Sequence, residues 1–274
     1  MTASIHAPVL FISHGAPTFA IEPGVLGPQL QALGRTLSGV TAVLVVSPHW
    51  QTRDVKVMTN PQPETVHDFG GFPPALYELR YPVNGQPDAA QEAARLLKAA
   101  GYATDVDVRR GLDHGAWVPL FHLLPDAQVP VFQVSMPLSL TTAQAVDMGR
   151  ALAPLRDQGV VIVGSGSMTH NLYEFRQAGT RPEAYAQEFA AWVRTAVLAD
   201  AVQPLIDYRK EAPHAARAHP TEEHFLPLLV AMGAHLGDGV NDAAGNADRL
   251  QVLDGGGIAH GVLSMESYVW GQPQ

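Results

Sequence analysis

The chain has 274 residues, 46% of them hydrophobic and 16% charged, and this composition excludes a disordered or charge-dominated protein. The net charge of −9 argues against nucleic acid as a partner, because phosphate contacts need clustered Lys and Arg. There is no cysteine, which excludes disulfides and cysteine nucleophiles and leaves nitrogen and oxygen atoms as the metal ligands available.

The sequence also lacks the features of a membrane or secreted protein. No apolar run approaches the roughly 18 residues that a membrane span requires. The first seven residues carry no positive patch and precede only a short apolar stretch, so we expect no signal peptide. A cytoplasmic protein without a membrane partner is predicted, and a homo-oligomer is left open.

Short apolar runs that alternate with helix-like stretches predict the fold. Buried strands are expected where β-branched runs end in Gly or Pro, at residues 8–12, 42–46, 129–136 and 160–163. Helices are expected at 87–101, 141–158 and 183–201. Further strands, antiparallel at an edge, are predicted at 56–58, 250–253 and 262–270, and an exposed loop at 237–248. The alternation predicts a single α/β domain over residues 1–274, with a mostly parallel sheet flanked by helices.

Three histidines occupy the same position relative to predicted strands. His14, His49 and His170 each come just after an apolar run. In open α/β sheets, ligands bind in the crevice at the carboxyl ends of the strands. One such histidine is readily explained as an ordinary loop or core residue, but three together predict a site. Neutral imidazole is the commonest metal ligand among side chains and suits iron, zinc and copper.

A second group of polar residues occurs at 219–229, which is typical of a helix entrance. Thr221 is predicted to cap this helix, and Glu222 and Glu223 to favour its positive end. Both glutamates are then explained by the helix start. His224, just inside an otherwise apolar helix, is not explained in that way.

Two other segments combine residues with site chemistry. Asp113 and His114 pair a carboxylate with an imidazole, the usual means of fixing a histidine tautomer. His67 stands in a Gly-rich loop with Phe69 and Phe72, which is suitable for lining a pocket around a flat ring. The histidines without a predicted role are His122, His235 and His260, together with His6 and His214, which are expected at the surface.

Six short motifs occur in order along the chain. They are His14-Gly-Ala-Pro, Ser47-Pro-His49-Trp, His67-Asp-Phe-Gly-Gly-Phe-Pro, Asp113-His114-Gly, Thr169-His170-Asn-Leu and Pro220-Thr-Glu-Glu-His224-Phe-Leu-Pro-Leu. Together, from about residue 8 to about residue 268, they resemble the class III extradiol ring-cleavage dioxygenases, the LigB-like superfamily. The branch that they resemble most is that of the 4,5-DOPA dioxygenase-like proteins.

The resemblance implies a metal site and an acid–base catalyst. His14, His49 and His224 match the metal ligands, and His170 matches the histidine that moves protons beside the metal. Because other branches of the superfamily use two histidines and one glutamate, Glu222 or Glu223 is an alternative third ligand.

The resemblance also implies a substrate pocket around a further histidine. His114 is expected there as a second catalytic residue, with Asp113 beside it. His67 is expected in the loop that covers the site. Asp113 and His67 are therefore the predicted substrate-binding residues.

The activity that follows is ring opening of a DOPA-like catechol by O₂, with Fe²⁺ as the cofactor. A set of three neutral histidines also suits Zn²⁺. One alternative is a zinc hydrolase, in which the metal lowers the pKa of bound water to about 7. Another is a non-catalytic binding protein on the same scaffold, which predicts loss of motif histidines, although all are present here.

Overall fold

The protein, described by a computed structural model over residues 6–176, 179–237 and 250–271, is built around an eight-stranded sheet. In spatial order the strands are β4 (Thr104–Asp107), β3 (Val55–Met58), β5 (Val131–Pro137), β2 (Ala42–Thr52), β6 (Val160–Gly166), β1 (Val9–Ser13), β10 (Ser267–Trp270) and β7 (Gln251–Leu253). β5, β2, β6 and β1 run parallel to one another. β3 is antiparallel to β5, and β10 is antiparallel to β1. The predicted α/β fold, with a mostly parallel sheet and antiparallel strands beside it, is confirmed.

Helices cover the sheet and explain why its central strands are apolar on both faces. The bounds are α1 (Leu26–Gly34), α2 (Pro74–Glu78), α3 (Pro87–Ala99), α4 (His114–Leu123), α5 (Thr142–Leu152), α6 (Ala184–Leu198), α7 (Val202–Ile206), α8 (Tyr208–Glu211), α9 (Ala215–Ala218) and α10 (Leu226–Leu236). α10 packs on β6 and β1, and α4 packs on β2 and β6. None of the helices within the described ranges is long and apolar enough to cross a membrane.

The predicted helices form where their end signals indicated. α3 begins at Pro87, and α5 begins with a capping box between Thr141 and Gln144. The helix predicted over 141–158 is shorter, because the chain changes at Ala153 to a 3₁₀ helix that includes Pro154 and ends before Gly159. The described residues share one hydrophobic core. That the whole chain, 1–274, forms one domain stays a prediction.

Two predicted strands differ from the structure. The strand expected at 262–270 is two pieces, β9 (Leu263–Ser264) and β10, because β9 pairs with β8 (Ile258–Ala259) rather than with the main sheet. The strand expected at 42–46 continues through residue 52 as β2. Apart from residue 237, the loop predicted at 237–248 lies outside the described residues.

Candidate active site

In the part of the chain that the structure describes, five histidines line one cavity of about 420 Å³. His14 follows β1 directly, and His49 lies inside β2. His170 lies in the segment after β6, His114 is the first residue of α4, and His224 stands two residues before α10. Residues up to 210 positions apart in the sequence therefore meet at one place.

An irregularity in β2 places His49 at the cavity. The pairing of β2 with β5 shifts register between Val46 and Gln51, and such irregularities redirect side chains out of the regular alternation. Opposite this segment stands Gly115, where an added Cβ would overlap Ser47 Oγ and lie 2.9 Å from His49 Cδ2. A glycine is therefore needed for α4 to approach β2 this closely.

His14, His49 and His224 have the geometry of a three-nitrogen metal site. Their ring nitrogens lie within 4.8 Å of one another, and the Nε2 atoms of His14 and His49 are 3.3 Å apart. His224 Nε2 is buried and has no hydrogen-bond partner among the residues that the structure describes. A buried nitrogen without a partner is costly, and a shared cation would satisfy it. The residues present therefore fit a divalent metal ion.

Hydrogen bonds behind two of these rings leave Nε2 free as a ligand atom. The Ser165 hydroxyl donates to the carbonyl oxygen of Gly115, so it accepts from His14 Nδ1 at 3.0 Å. His224 Nδ1 donates to Glu223 Oε1 at 3.1 Å. With the proton held on Nδ1, each Nε2 carries a lone pair, and partners of this kind orient histidine ligands.

Burial keeps the three rings neutral. It lowers the pKa of His14 and of His224 well below the usual value, and the repulsion that would arise between neighbouring protonated histidines lowers both further. Burial, followed by the same repulsion from His114, lowers the pKa of His49 to about 4. Metal binding at neutral pH then displaces no proton from these rings.

Glu222 and Glu223 lie before α10 and not in its first turn, where the sequence predicted them. α10 begins at Leu226 rather than near residue 221, and Thr221 does not cap it, because the N-cap position is taken by Phe225. The Thr221 hydroxyl donates to Glu223 at 2.9 Å. Glu222 pairs with Arg209. The group that contains His14 and His49 is completed by His224, which favours His224 over either glutamate as third ligand.

His170 stacks on His224, with ring centroids 3.4 Å apart and planes at 8°. Burial lowers the pKa of His170 to about 4, although the nearby Glu223 carboxylate opposes this shift. The ring is therefore neutral at pH 7, so it can accept a proton from a ligand in the cavity.

The carboxylate that orients His114 is Asp68 and not Asp113. Asp68 Oδ1 accepts from the backbone N–H of His114 at 2.9 Å and from its Nδ1 at 3.0 Å. Burial alone would raise the pKa of Asp68, but the bonds and charge of His114 together lower it to about 2. His114 therefore presents Nε2 to the cavity.

Asp113 lies behind the site, in full burial. It caps α4 by accepting from Ala116 N at 3.2 Å, and it also accepts from Ser47, Gln133 and Arg110. The substrate contact predicted for Asp113 has no support from this position, because all of these partners belong to the protein.

His67 is also absent from the cavity lining. Its Nε2 lies 3.1 Å from the carbonyl oxygen of Leu79, and its ring contacts Phe69 and Trp117. Phe69 and Phe72 from the same loop do line the cavity, as their placement in the sequence suggested. His67 thus packs against the loop that carries Phe69 and Phe72, outside the cavity lining.

Several cavity residues were not expected from the sequence. Leu172, Phe175 and Leu263 line the cavity. Leu172 ends the motif Thr169-His170-Asn-Leu, whereas nothing in the local sequence marks Phe175 or Leu263. Asp68 could have been suspected from its place beside His67. Of the remaining histidines, His6 and His214 are exposed, as predicted.

The comparisons with known proteins agree with this geometry. Residues 9–260 match the family model described as the catalytic LigB subunit of aromatic ring-opening dioxygenase. The chain belongs to this LigB family. It is 36% identical to a 4,5-DOPA dioxygenase extradiol of Beta vulgaris, over 94% of this chain and 96% of the relative, and 38% identical to one of Escherichia coli K12, over 85% and 86%.

A solved structure extends the likeness to the whole LigB fold. The crystal structure of an uncharacterized protein from Escherichia coli K12 superposes with a TM-score of 0.75 at 32% identity, and the match covers 97% of this chain and 100% of that one. Family and relatives together make this LigB protein an extradiol dioxygenase, which confirms the predicted enzyme class.

Proposed function

We propose that the protein opens the ring of a DOPA-like catechol, meaning a catechol with a carbon side chain on its ring, by reaction with O₂ at Fe²⁺. The observation that carries the proposal is the meeting of three neutral histidine nitrogens beside a cavity that holds two further histidines. The relatives named 4,5-DOPA dioxygenase extradiol support the catechol as substrate class.

His14, His49 and His224 are the proposed metal ligands. Fe²⁺ held there would supply the redox chemistry that joins O₂ to an aromatic ring. A set of three protein ligands would leave room on the ion for substrate and O₂, as the three-ligand sites of non-haem iron oxygenases do, although those use two histidines and one carboxylate. A neutral ligand set also retains the ion's double positive charge, which favours an ionised catechol.

His170 and His114 are the proposed proton-handling residues. His170, neutral and beside His224, is placed to take a proton from a catechol hydroxyl and to return it later in the reaction. The hydrogen bond from Nδ1 of His114 to Asp68 orients its ring at the cavity, where Nε2 would form a hydrogen bond with the substrate. Asp113 and His67 are proposed to act indirectly, by supporting α4 and the covering loop.

The test is anaerobic loading of the metal-free protein with Fe²⁺ or, as a control, with Zn²⁺. We expect O₂ uptake in proportion to catechol consumed, together with a yellow ring-opened product, in the iron sample alone. Zinc has no accessible redox step, so the control separates this activity from metal-assisted hydrolysis. Equal uptake in the two samples, or none in either, would reject the proposal.

A further inference from the structure

We propose that the cavity selects catechols whose ring substituent is uncharged and apolar, and that it does not recognise an amino-acid group. The inference rests on the proposed function and narrows its substrate class. It would make DOPA a substrate that is held by its ring alone.

The polar groups of the cavity are gathered at one end. Apart from the five histidines, the lining consists of apolar side chains and small residues: Gly15, Ala16, Pro17, Phe69, Gly70, Phe72, Leu172, Phe175 and Leu263. Within the described ranges, no Asp, Glu, Lys or Arg lines the cavity. A site that fixes a zwitterion would place such groups where the charges lie.

Charged residues next to the lining residues in sequence already have partners. Arg176, which follows the lining residue Phe175, donates to the carbonyl oxygen of Phe175 at 3.3 Å. Asp68 accepts from His114, and Glu223 accepts from His224. Glu174 forms two hydrogen bonds with the Arg217 guanidinium, at 2.7 and 2.9 Å. Using one of these carboxylates to bind a substrate ammonium group would break an existing interaction.

The cavity is large enough to hold a ring substituent in addition to the catechol ring. About 420 Å³ falls in the range of pockets that hold drug-sized ligands, so a bare catechol would leave much of the space unfilled. A substituent that extends away from the histidines would meet apolar lining side chains such as Phe69, Phe72 and Leu263. An ammonium or carboxylate in that position loses water without gaining a partner, whereas a methylene group gains from burial.

Exposed apolar side chains beside the cavity point to the same class of ligand. Leu172 and Phe175 both line the cavity, yet they are 58% and 37% exposed. Phe175 also stacks on His260, with ring centroids 4.4 Å apart. Contiguous exposed apolar surface is typical of a binding groove, and an apolar substituent would cover it.

The first experiment compares kcat/KM of the iron-loaded enzyme for catechols that carry a similar three-carbon chain. These are propylcatechol, dihydroxyphenylpropionate and DOPA, which are neutral, anionic and zwitterionic. We expect propylcatechol to exceed DOPA by about tenfold or more, with a gain of about fourfold for each methylene from methyl to propyl. Values for DOPA equal to or above those for propylcatechol would overturn the inference.

Equilibrium binding distinguishes failure of this inference from failure of the proposed function. Calorimetric Kd values for the same compounds on zinc-loaded protein need no turnover, and we expect the same order. If no catechol is turned over with iron, the proposed function fails whatever the binding order. If turnover occurs but DOPA binds as tightly as propylcatechol, only the selectivity inference fails.

A matched pair of variants tests the apolar wall directly. Leu172→Arg would place a cation beside the cavity and should raise the kcat/KM ratio of dihydroxyphenylpropionate to propylcatechol about tenfold. Tyr173→Arg adds the same charge one residue away, on an 89% exposed side chain that does not line the cavity, and should leave the ratio nearly unchanged. Equal shifts in both variants would show a general charge effect and overturn the inference.

Discussion

Replacement of Glu223 by Gln should weaken metal binding although Glu223 is not a proposed ligand. Its Oε1 accepts from His224 Nδ1 at 3.1 Å, and its side chain is 25% exposed. Two unit charges about 4 Å apart interact by about 4 kcal/mol at an effective dielectric constant of 20. Because the imidazole takes up only part of a bound ion's charge, a third to two thirds of that energy is expected, which agrees with the tenfold to hundredfold loss of affinity typical of such partners.

The assay is competition between the protein and a chromophoric chelator for Zn²⁺ and Fe²⁺ at pH 7. Glu222→Gln is the matched control, because Glu222 is 43% exposed and pairs with Arg209 instead of a ligand, so its loss should change the affinity less than about twofold. An unchanged affinity in Glu223→Gln, or equal losses in both variants, would refute the reasoning that the carboxylate acts through His224.

Three further predictions follow from particular contacts. His170→Gln should lower kcat by about 10²–10⁴ while metal content, measured by atomic emission, stays that of the wild type; loss of the metal would instead make His170 structural. Gly115→Ala should destabilise the fold by about 1–3 kcal/mol in urea unfolding, because its Cβ overlaps Ser47 and crowds His49; an unchanged midpoint would contradict this. Burial lowers the pKa of His219 from its ordinary value of 6.5 to about 3. Between pH 6.5 and pH 3, His219 therefore binds a proton in the unfolded chain but not in the folded chain. The free energy of unfolding of the metal-free protein should then fall as pH drops below about 6.5, by up to about 1.4 kcal/mol per pH unit for this residue, and a pH-independent midpoint would argue against it.

The signals that predicted the fold correctly are local ones. Continuous β-branched runs predicted β1 and β6, since strands covered on both faces need apolar side chains at every position. The threonine at position 141 predicted the start of α5 in the same way, and the structure shows it in a capping box with Gln144. The start of the helix near Thr221 was predicted wrongly: α10 begins at Leu226, after the N-cap residue Phe225, so Thr221 lies outside it.

The partner of His114 shows what neighbouring residues in a sequence cannot reveal. Asp113 stands next to it, but an N-cap side chain turns back over the first turn of its own helix, and that of Asp113 is buried against Ser47 and Gln133. Asp68, 46 positions away, reaches the imidazole because the covering loop brings it there. Sequence adjacency does not determine the direction of a side chain.

By itself the sequence determined the α/β class of the protein and the position of His14 and His170 after strand ends, because periodicity and end signals depend on residues close together in the chain. His49, also predicted to follow a strand, lies inside β2, which continues through residue 52. It also determined the family, through motifs in a definite order. Only the tertiary structure decided that His14, His49 and His224 converge, that Asp68 holds His114, and that Leu172 and Phe175 form the apolar wall. These contacts join residues far apart in the chain, and they depend on strand register and loop path, which no local pattern records.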